Sequence, residues 1–237
     1  MNTIERPLQL ILIRHGESLR NKAKQGTIYF ADEETREIVR GIPDHEITLT
    51  QEGIRQAKET GIYLRDHFDP PDYFYHSGYA RTIQTLEEIL KAFPAEIRCK
   101  IKVRMNAFIR ERDPGHTYDM TAKDVERAFP WLESYWRTFG GFFARPPGGE
   151  SLADVSQRVY TFLNTLFRDR FGKRIWVSLH GGTLRAFRFL LEHWTYEQAL
   201  RWPDDQSPKN CGITVYSFCQ REGRLILGEY NTVGWKQ

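Results

Sequence analysis

Three short segments of this sequence concentrate side chains that can do chemistry together: Arg14-His15-Gly16-Glu17-Ser18, His76-Ser77-Gly78-Tyr79-Ala80-Arg81-Thr82 and His180-Gly181-Gly182-Thr183. Arginine stays charged at every relevant pH, and its planar fork matches the oxygens of a phosphoryl group. An unprotonated histidine held among such cations is a nucleophile. Attack by His15 on a phosphate monoester would give a phosphohistidine, with Arg14, Arg81 and His180 neutralising the equatorial oxygens as charge builds. A charge pair ~4 Å apart at an effective dielectric of ~20 is worth roughly 4 kcal/mol, so each arginine carries orders of magnitude in rate.

The departing alkoxide needs a proton. The stretch Arg110-Glu111-Arg112-Asp113-Pro114-Gly115 offers Glu111 as the best donor, a carboxyl that could later activate the hydrolytic water. Asp113 and Glu150 stay open as alternatives. Simpler roles compete for each residue. Arg14 and Arg81 could pair with Glu17 or Glu87 on the surface, Glu111 with Arg110 or Arg112, and Asn21 could cap a turn. Arg112 is either a reader of substrate or a solvated loop cation. Backbone amides at Gly16, Gly181 and Gly182 could also meet phosphate oxygens.

These segments need a scaffold that presents them on one edge. Leu8 to Ile13 is a short aliphatic run, as expected of a strand buried on both faces. Tyr73 to Tyr75, Ile101 with Val103, and Ile175 to Leu179 repeat that signature. Between them, Ile54, Ala57, Gly61, Leu64 and Phe68 follow helical spacing behind Thr50 as N-cap and ahead of Pro70-Pro71. Ile83 to Phe93, Leu152 to Leu166 and Leu184 to Leu191 carry further helical stripes. Strands alternating with helices imply parallel crossovers, and ligands of such sheets bind beyond the carboxyl ends of the strands. Ile213 to Phe218 and Leu225 to Leu227 around Gln220-Arg221-Glu222-Gly223 predict a hairpin, hence an antiparallel edge. The expected fold is a three-layer α/β/α domain over residues 1–237, with a mostly parallel central sheet. A small helical cap is expected as an insertion at about 104–147, its aromatic set Trp131, Tyr135, Trp136 and Phe139 spaced for burial.

The chain has 237 residues, 40% hydrophobic and 27% charged, with 34 Lys and Arg against 31 Asp and Glu. That mixture fits a globular protein and argues against nucleic acid as a partner. Cys99, Cys211 and Cys219 lack disulfide or metal spacing, and His45, His67, His76, His116 and His193 lack metal-ligand spacing, so neither metal nor cofactor is expected. The cysteine usage fits a reducing cytoplasm. The apolar run after Glu5-Arg6-Pro7 is far shorter than the ~20 residues of a membrane span. Oligomeric state is not encoded in any pattern here.

Taken in order, Arg14 to Ser18 with Asn21, Ser77 to Arg81, Gly149-Glu150-Ser151 and His180-Gly181 resemble the histidine phosphatase superfamily, whose fold is phosphoglycerate mutase-like. The resemblance spans nearly the whole chain. It implies that His15 is phosphorylated, that Arg14, Arg81 and His180 bind phosphate, that Glu111 is the proton donor, that Asn21 is a polar phosphate neighbour, and that no metal takes part. Ile42 to Thr50 and Phe108 to Asp113 resemble the broad-specificity acid phosphatase-like branch, implying hydrolysis of small phosphomonoesters. Glu111-Arg112 also resembles the mutase segment whose arginine holds the substrate carboxylate, so phosphoglycerate mutase-type transfer is the alternative, and an idle phospho-ligand binding module the third reading. A Gly-Trp-x-Asp stretch typical of mutases is missing; a longer charged segment from Gln25 to Gly41 replaces it. Gly78 stands where the family usually has proline, and Phe108 where leucine is commoner.

Overall fold

The computed structural model describes residues 6–24, 26–202 and 206–236; Glu5 and Gln25, named above, lie outside them. In chain order the elements are β1 (Gln9–Arg14), α1 (Leu19–Lys24), α2 (Glu33–Glu37), α3 (Gln51–His67), β2 (Tyr73–His76), α4 (Ala80–Leu90), α5 (Ala95–Arg98) and β3 (Lys102–Met105). After them come α6 (Ala122–Ala128), α7 (Leu132–Phe139), α8 (Leu152–Asp169), β4 (Arg174–Leu179), α9 (Gly181–Leu191), α10 (Tyr196–Leu200), β5 (Ile213–Cys219) and β6 (Arg224–Thr232).

The six strands form one sheet in the order β3-β2-β4-β1-β5-β6. β3, β2, β4 and β1 run parallel, and the β5–β6 hairpin closes the β1 side antiparallel. Alternation along β1 divides the core between two faces. Leu10 and Leu12 pack with Val159 and Phe162 of α8 and Phe187 of α9. Ile11 and Ile13 face the other way, with Leu64 of α3, Leu86 and Ile89 of α4, and Trp176. This is the three-layer arrangement expected from the alternating pattern.

Local signals account for the helix starts that matter. The Thr50 side chain accepts from the Gly53 amide at the head of α3, and Ser151 forms a reciprocal capping box with Asp154 at the head of α8. β1 and β4 pair from Gln9–Arg174 to Arg14–Leu179, so their carboxyl ends finish level. His15 and His180 therefore leave neighbouring strands side by side.

Two expectations need correction. Arg104 and Met105 belong to β3, so the cap insertion starts after them. Its aromatic residues are not core: Trp131 is 52% and Phe139 59% exposed, and of α7 only Leu132 is buried. Along α7, Trp131 instead meets Tyr135 edge-to-face and Tyr135 stacks on Phe139, with ring centroids 5.9 and 5.4 Å apart. Their i, i+4 spacing defines one face of a helix but not which way that face turns. Among the described residues no helix is long and apolar enough to cross a membrane.

Candidate active site

A cavity of about 210 Å³ opens at the carboxyl edge of the sheet, and Arg14, His15, Asn21, Arg81, Glu111 and Arg112 all line it. His15 and His180 are 3% and 0% exposed, with ring centroids 5.2 Å apart at an interplanar angle of 65°. His15 Nδ1 lies 2.7 Å from the Gly16 carbonyl oxygen. A carbonyl only accepts, so Nδ1 holds the ring proton and Nε2 carries the lone pair. Burial, then the charges of Arg81 and Arg14, push the His15 imidazolium well below its ordinary range, against the smaller pull of the Gly16 carbonyl. Burial, Arg81 and His15 do the same to His180. Both rings are neutral at pH 7.

His180 is held from one side. Its Nε2 lies 2.8 Å from Ser77 Oγ, which also sits 3.0 Å from Thr82 Oγ1 and accepts from the Tyr79 amide at 3.3 Å. The buried Nδ1 of His180 has no partner, and neither has Nε of Arg14. Unpaired buried polar atoms are costly; Arg14 lines the cavity, whereas His180 lies behind the His15 ring and is not among the lining residues. Arg14 Nη1 donates to the Pro208 carbonyl at 2.5 Å, and Glu17 is engaged by Thr50, so the surface ion pair considered for Arg14 does not form. Arg81 pairs with Asp44 rather than Glu87: Nη1 lies 3.1 Å from Oδ1 and 2.6 Å from the Asp44 carbonyl oxygen.

Glu111 Oε1 accepts from the amides of Arg112 at 2.8 Å and Gly182 at 3.0 Å. A Cβ on residue 182 would fall 2.6 Å from that oxygen, so glycine is what lets helix α9 approach the carboxylate. The amide of Gly182 is thereby committed to Glu111, and that of Gly16 to Thr85 Oγ1 at 3.0 Å, so neither is free for phosphate. The rival donors sit elsewhere. Asp113 Oδ1 accepts from the Gly115 amide. Glu150 is half buried, which raises its pKa, but hydrogen bonds from Arg158 and the Asp113 amide and the charges of Arg158 and Arg110 outweigh burial and keep it ionised.

Asn21 does close a turn: its Oδ1 accepts from Ser18 N, Ser18 Oγ and Asn210 Nδ2 at 3.0–3.2 Å. It also lines the cavity, so the two roles coexist. Arg112 is no solvated cation; its Nε donates to the Glu150 carbonyl at 2.7 Å, and burial lowers its pKa. Gly78 adopts φ +91°, a conformation closed to proline, whose ring fixes φ near −65°, so the loop after β2 takes its own path.

Three supporting residues went unrecognised in the sequence. Arg158 donates to the carbonyls of Phe108, Arg110 and Glu111 at 2.7–3.1 Å while pairing with Glu150, and so clamps the Glu111 loop onto α8. Its signal was legible: a charged residue inside the apolar stripe of α8, three positions after Val155. Asp44 and Asn210, which hold Arg81 and the His15 carbonyl, come from loops without periodicity.

A parallel sheet whose strand ends gather two neutral imidazoles and buried arginines defines a phosphoryl-handling α/β class. Residues 10–230 match the histidine phosphatase superfamily (branch 1). The chain belongs to that family. It is 36% identical over 209 residues to phosphoglycerate mutase-like protein AT74 of Arabidopsis thaliana, covering 81% of this chain but only 60% of that relative's length. A 2,3-bisphosphoglycerate-dependent phosphoglycerate mutase of Rhizobium meliloti is 30% identical over 197 residues, 81% of this chain and 83% of the mutase. The broad-range acid phosphatase DET1 of Saccharomyces cerevisiae is 28% identical, with 83% of this chain and 82% of that protein covered.

Proposed function

We propose that this chain hydrolyses phosphate monoesters of small metabolites through a phosphohistidine on His15. The observation that carries the reading is the Nδ1 contact to Gly16, which leaves Nε2 of a neutral, buried ring open to the cavity. Nε2 attacks phosphorus as the ester P–O bond breaks, and Glu111 gives its proton to the departing alkoxide. Water then attacks phosphorus as the P–N bond breaks, Glu111 recovers a proton from that water, and inorganic phosphate and neutral His15 result. Arg14, Arg81 and His180 hold the equatorial oxygens; Asn21, its oxygen already committed, offers its NH₂ group. The DET1 likeness supports hydrolysis as the outcome. Residues 1–237 act as one catalytic domain, without metal or cofactor, in the cytoplasm, where the free Cys99, Cys211 and Cys219 are at home.

Mutase-type transfer is the second reading, favoured by the Rhizobium relative and by Arg112 at the cavity wall. The two separate in one assay. A hydrolase releases inorganic phosphate from phenyl phosphate and from alkyl phosphates. Conversion of a phosphoglycerate to its isomer, dependent on a bisphosphorylated activator and with little phosphate freed, would establish the mutase reading instead. Glu111→Gln should slow alkyl phosphates by about 10²-fold and nitrophenyl phosphate far less, because nitrophenolate leaves without a proton. Equal loss on both substrates would take the acid role from Glu111.

A further inference from the structure

The cavity beside His15 holds more positive charge than one phosphate group can use. Five cationic side chains, Arg14, Arg20, Lys24, Arg81 and Arg112, line it against two carboxylates, Asp44 and Glu111. With Lys24 protonated and both carboxylates ionised, a phosphomonoester dianion offsets two of the three surplus charges; while Glu111 holds a proton, two positive charges remain. Arg14 and Arg81 act on His15, and Arg112 is tied to the Glu150 carbonyl. Arg20 and Lys24 are left.

These two sit four residues apart on α1 and so share a face of the helix. The Arg20 guanidinium lies 3.7 Å from the Tyr118 ring centroid and 5.1 Å from that of Phe30, and its Nη2 donates to the Tyr118 carbonyl at 2.5 Å. Its Nη1 is buried with no partner. Lys24 Nζ donates to the Ile28 carbonyl and lies 5.3 Å from the Phe30 ring centroid. Among the described residues, no carboxylate forms an ion pair with either cation, although 19 such pairs form elsewhere. Burial, and after it the Arg20 charge, push the Lys24 ammonium down to about 7 against the weaker pull of the Asp44 carboxylate, so an anion bound beside it would restore its charge. Two aromatic rings fix the guanidinium in place, so a ligand meets a donor already oriented.

We propose that Arg20 and Lys24 form a second anion subsite, and that the substrate is a small phosphomonoester bearing a further carboxylate or phosphate on its leaving-group side. The substrate half of this inference rests on His15 being the phosphate end of the cavity. At about 210 Å³ the cavity is smaller than the roughly 300–1,000 Å³ of pockets that take drug-sized ligands, which favours a small metabolite.

The test is calorimetric titration of the wild-type chain with ω-phosphonoalkanoates of increasing length, each compared with the alkylphosphonate of the same length. The C–P bond resists hydrolysis, so binding is read without turnover. At one matched length the doubly anionic ligand should bind at least about tenfold tighter, and Arg20→Gln or Lys24→Gln should each remove most of that ratio. Lys24→Gln keeps the test valid should Arg20→Gln, which loses its packing on Tyr118, fail to fold. Ratios within about twofold at every length, or ratios untouched by Lys24→Gln, overturn the subsite. If added acetate tightens alkylphosphonate binding as much as the tethered carboxylate does, the ligand is a separate anion and the substrate claim falls. Failure to release phosphate from any ester would sink the hydrolase reading while leaving these binding ratios as they are.

Discussion

His15 and His180, at the carboxyl edge of the sheet, are at most 3% exposed and wedged among backbone carbonyls, hydroxyls and arginines, whereas Trp131 and Phe139 in the cap are more than half exposed and each rests on the Tyr135 ring between them. Both regions are rich in side chains that sequence patterns mark as important. At the sheet edge each is held by several partners from distant parts of the chain, with Arg14 reaching Pro208 and Ser77 reaching His180. Along α7 the aromatic ladder is local, built from i, i+4 neighbours. Chemistry is placed where topology leaves a side chain no alternative position, and the cap is free to vary around it.

That contrast breaks first at Arg158, which ties α8 to the backbone of the Glu111 loop. Arg158→Met removes one of the two arginine partners of a half-buried carboxylate and leaves three carbonyls without their donor. We expect a loss of about 3–5 kcal/mol in urea unfolding, and recovery of part of it on adding Glu150→Gln. A loss below about 1 kcal/mol would show that the loop is held by something else.

Arg81→Ala acts next, on rate rather than fold. Removing one preorganised cation from the phosphoryl site should lower kcat/KM about 10²–10³-fold, measured with phenyl phosphate. It also frees Asp44, so Asp44→Asn in the same background should restore some activity if repulsion of phosphate by that carboxylate adds to the loss.

Acid sharpens the comparison without mutation. Burial holds both histidines neutral in the folded chain, while unfolded histidine titrates near 6.5, so their contribution to stability is complete above that value and falls as pH drops toward their folded pKa values. In a buffer free of phosphate, stability should fall by about 1 kcal/mol per histidine between pH 7 and 5.5, and phosphate should reverse part of the loss. A flat profile over that interval would mean the rings are not buried as neutral groups.

The smallest effect belongs to the cap. Trp131→Ser and Phe139→Ser should each change stability by no more than about 0.5 kcal/mol and leave phosphate release unaltered, since neither ring enters the core or the cavity. A larger cost would place the ladder against something in solution.

The same contrast explains what the sequence disclosed. Strands β1, β2 and β4 and helices α3, α8 and α9 were legible because burial on fixed faces imposes a period, and the catalytic candidates were legible because they leave those strands directly. Glu111 was preferred as donor with Glu150 still open: only the folded chain brings Arg110 and Arg158 onto Glu150 and keeps it charged. Asp44 and Asn210 were hidden because loops carry no period, and their partners lie far off in sequence. The α7 aromatics were misjudged for the opposite reason: their period is real, but Leu132, not the ladder, takes the buried side.

The central claim is that Nε2 of His15 becomes covalently phosphorylated, and the direct measurement is base-quenched peptide mapping after brief exposure to a phosphate-labelled ester. The account predicts base-stable, acid-labile label on the peptide carrying His15, absent from His15→Ala. Turnover with no labelled histidine, or label on another residue in the wild-type chain, would contradict it.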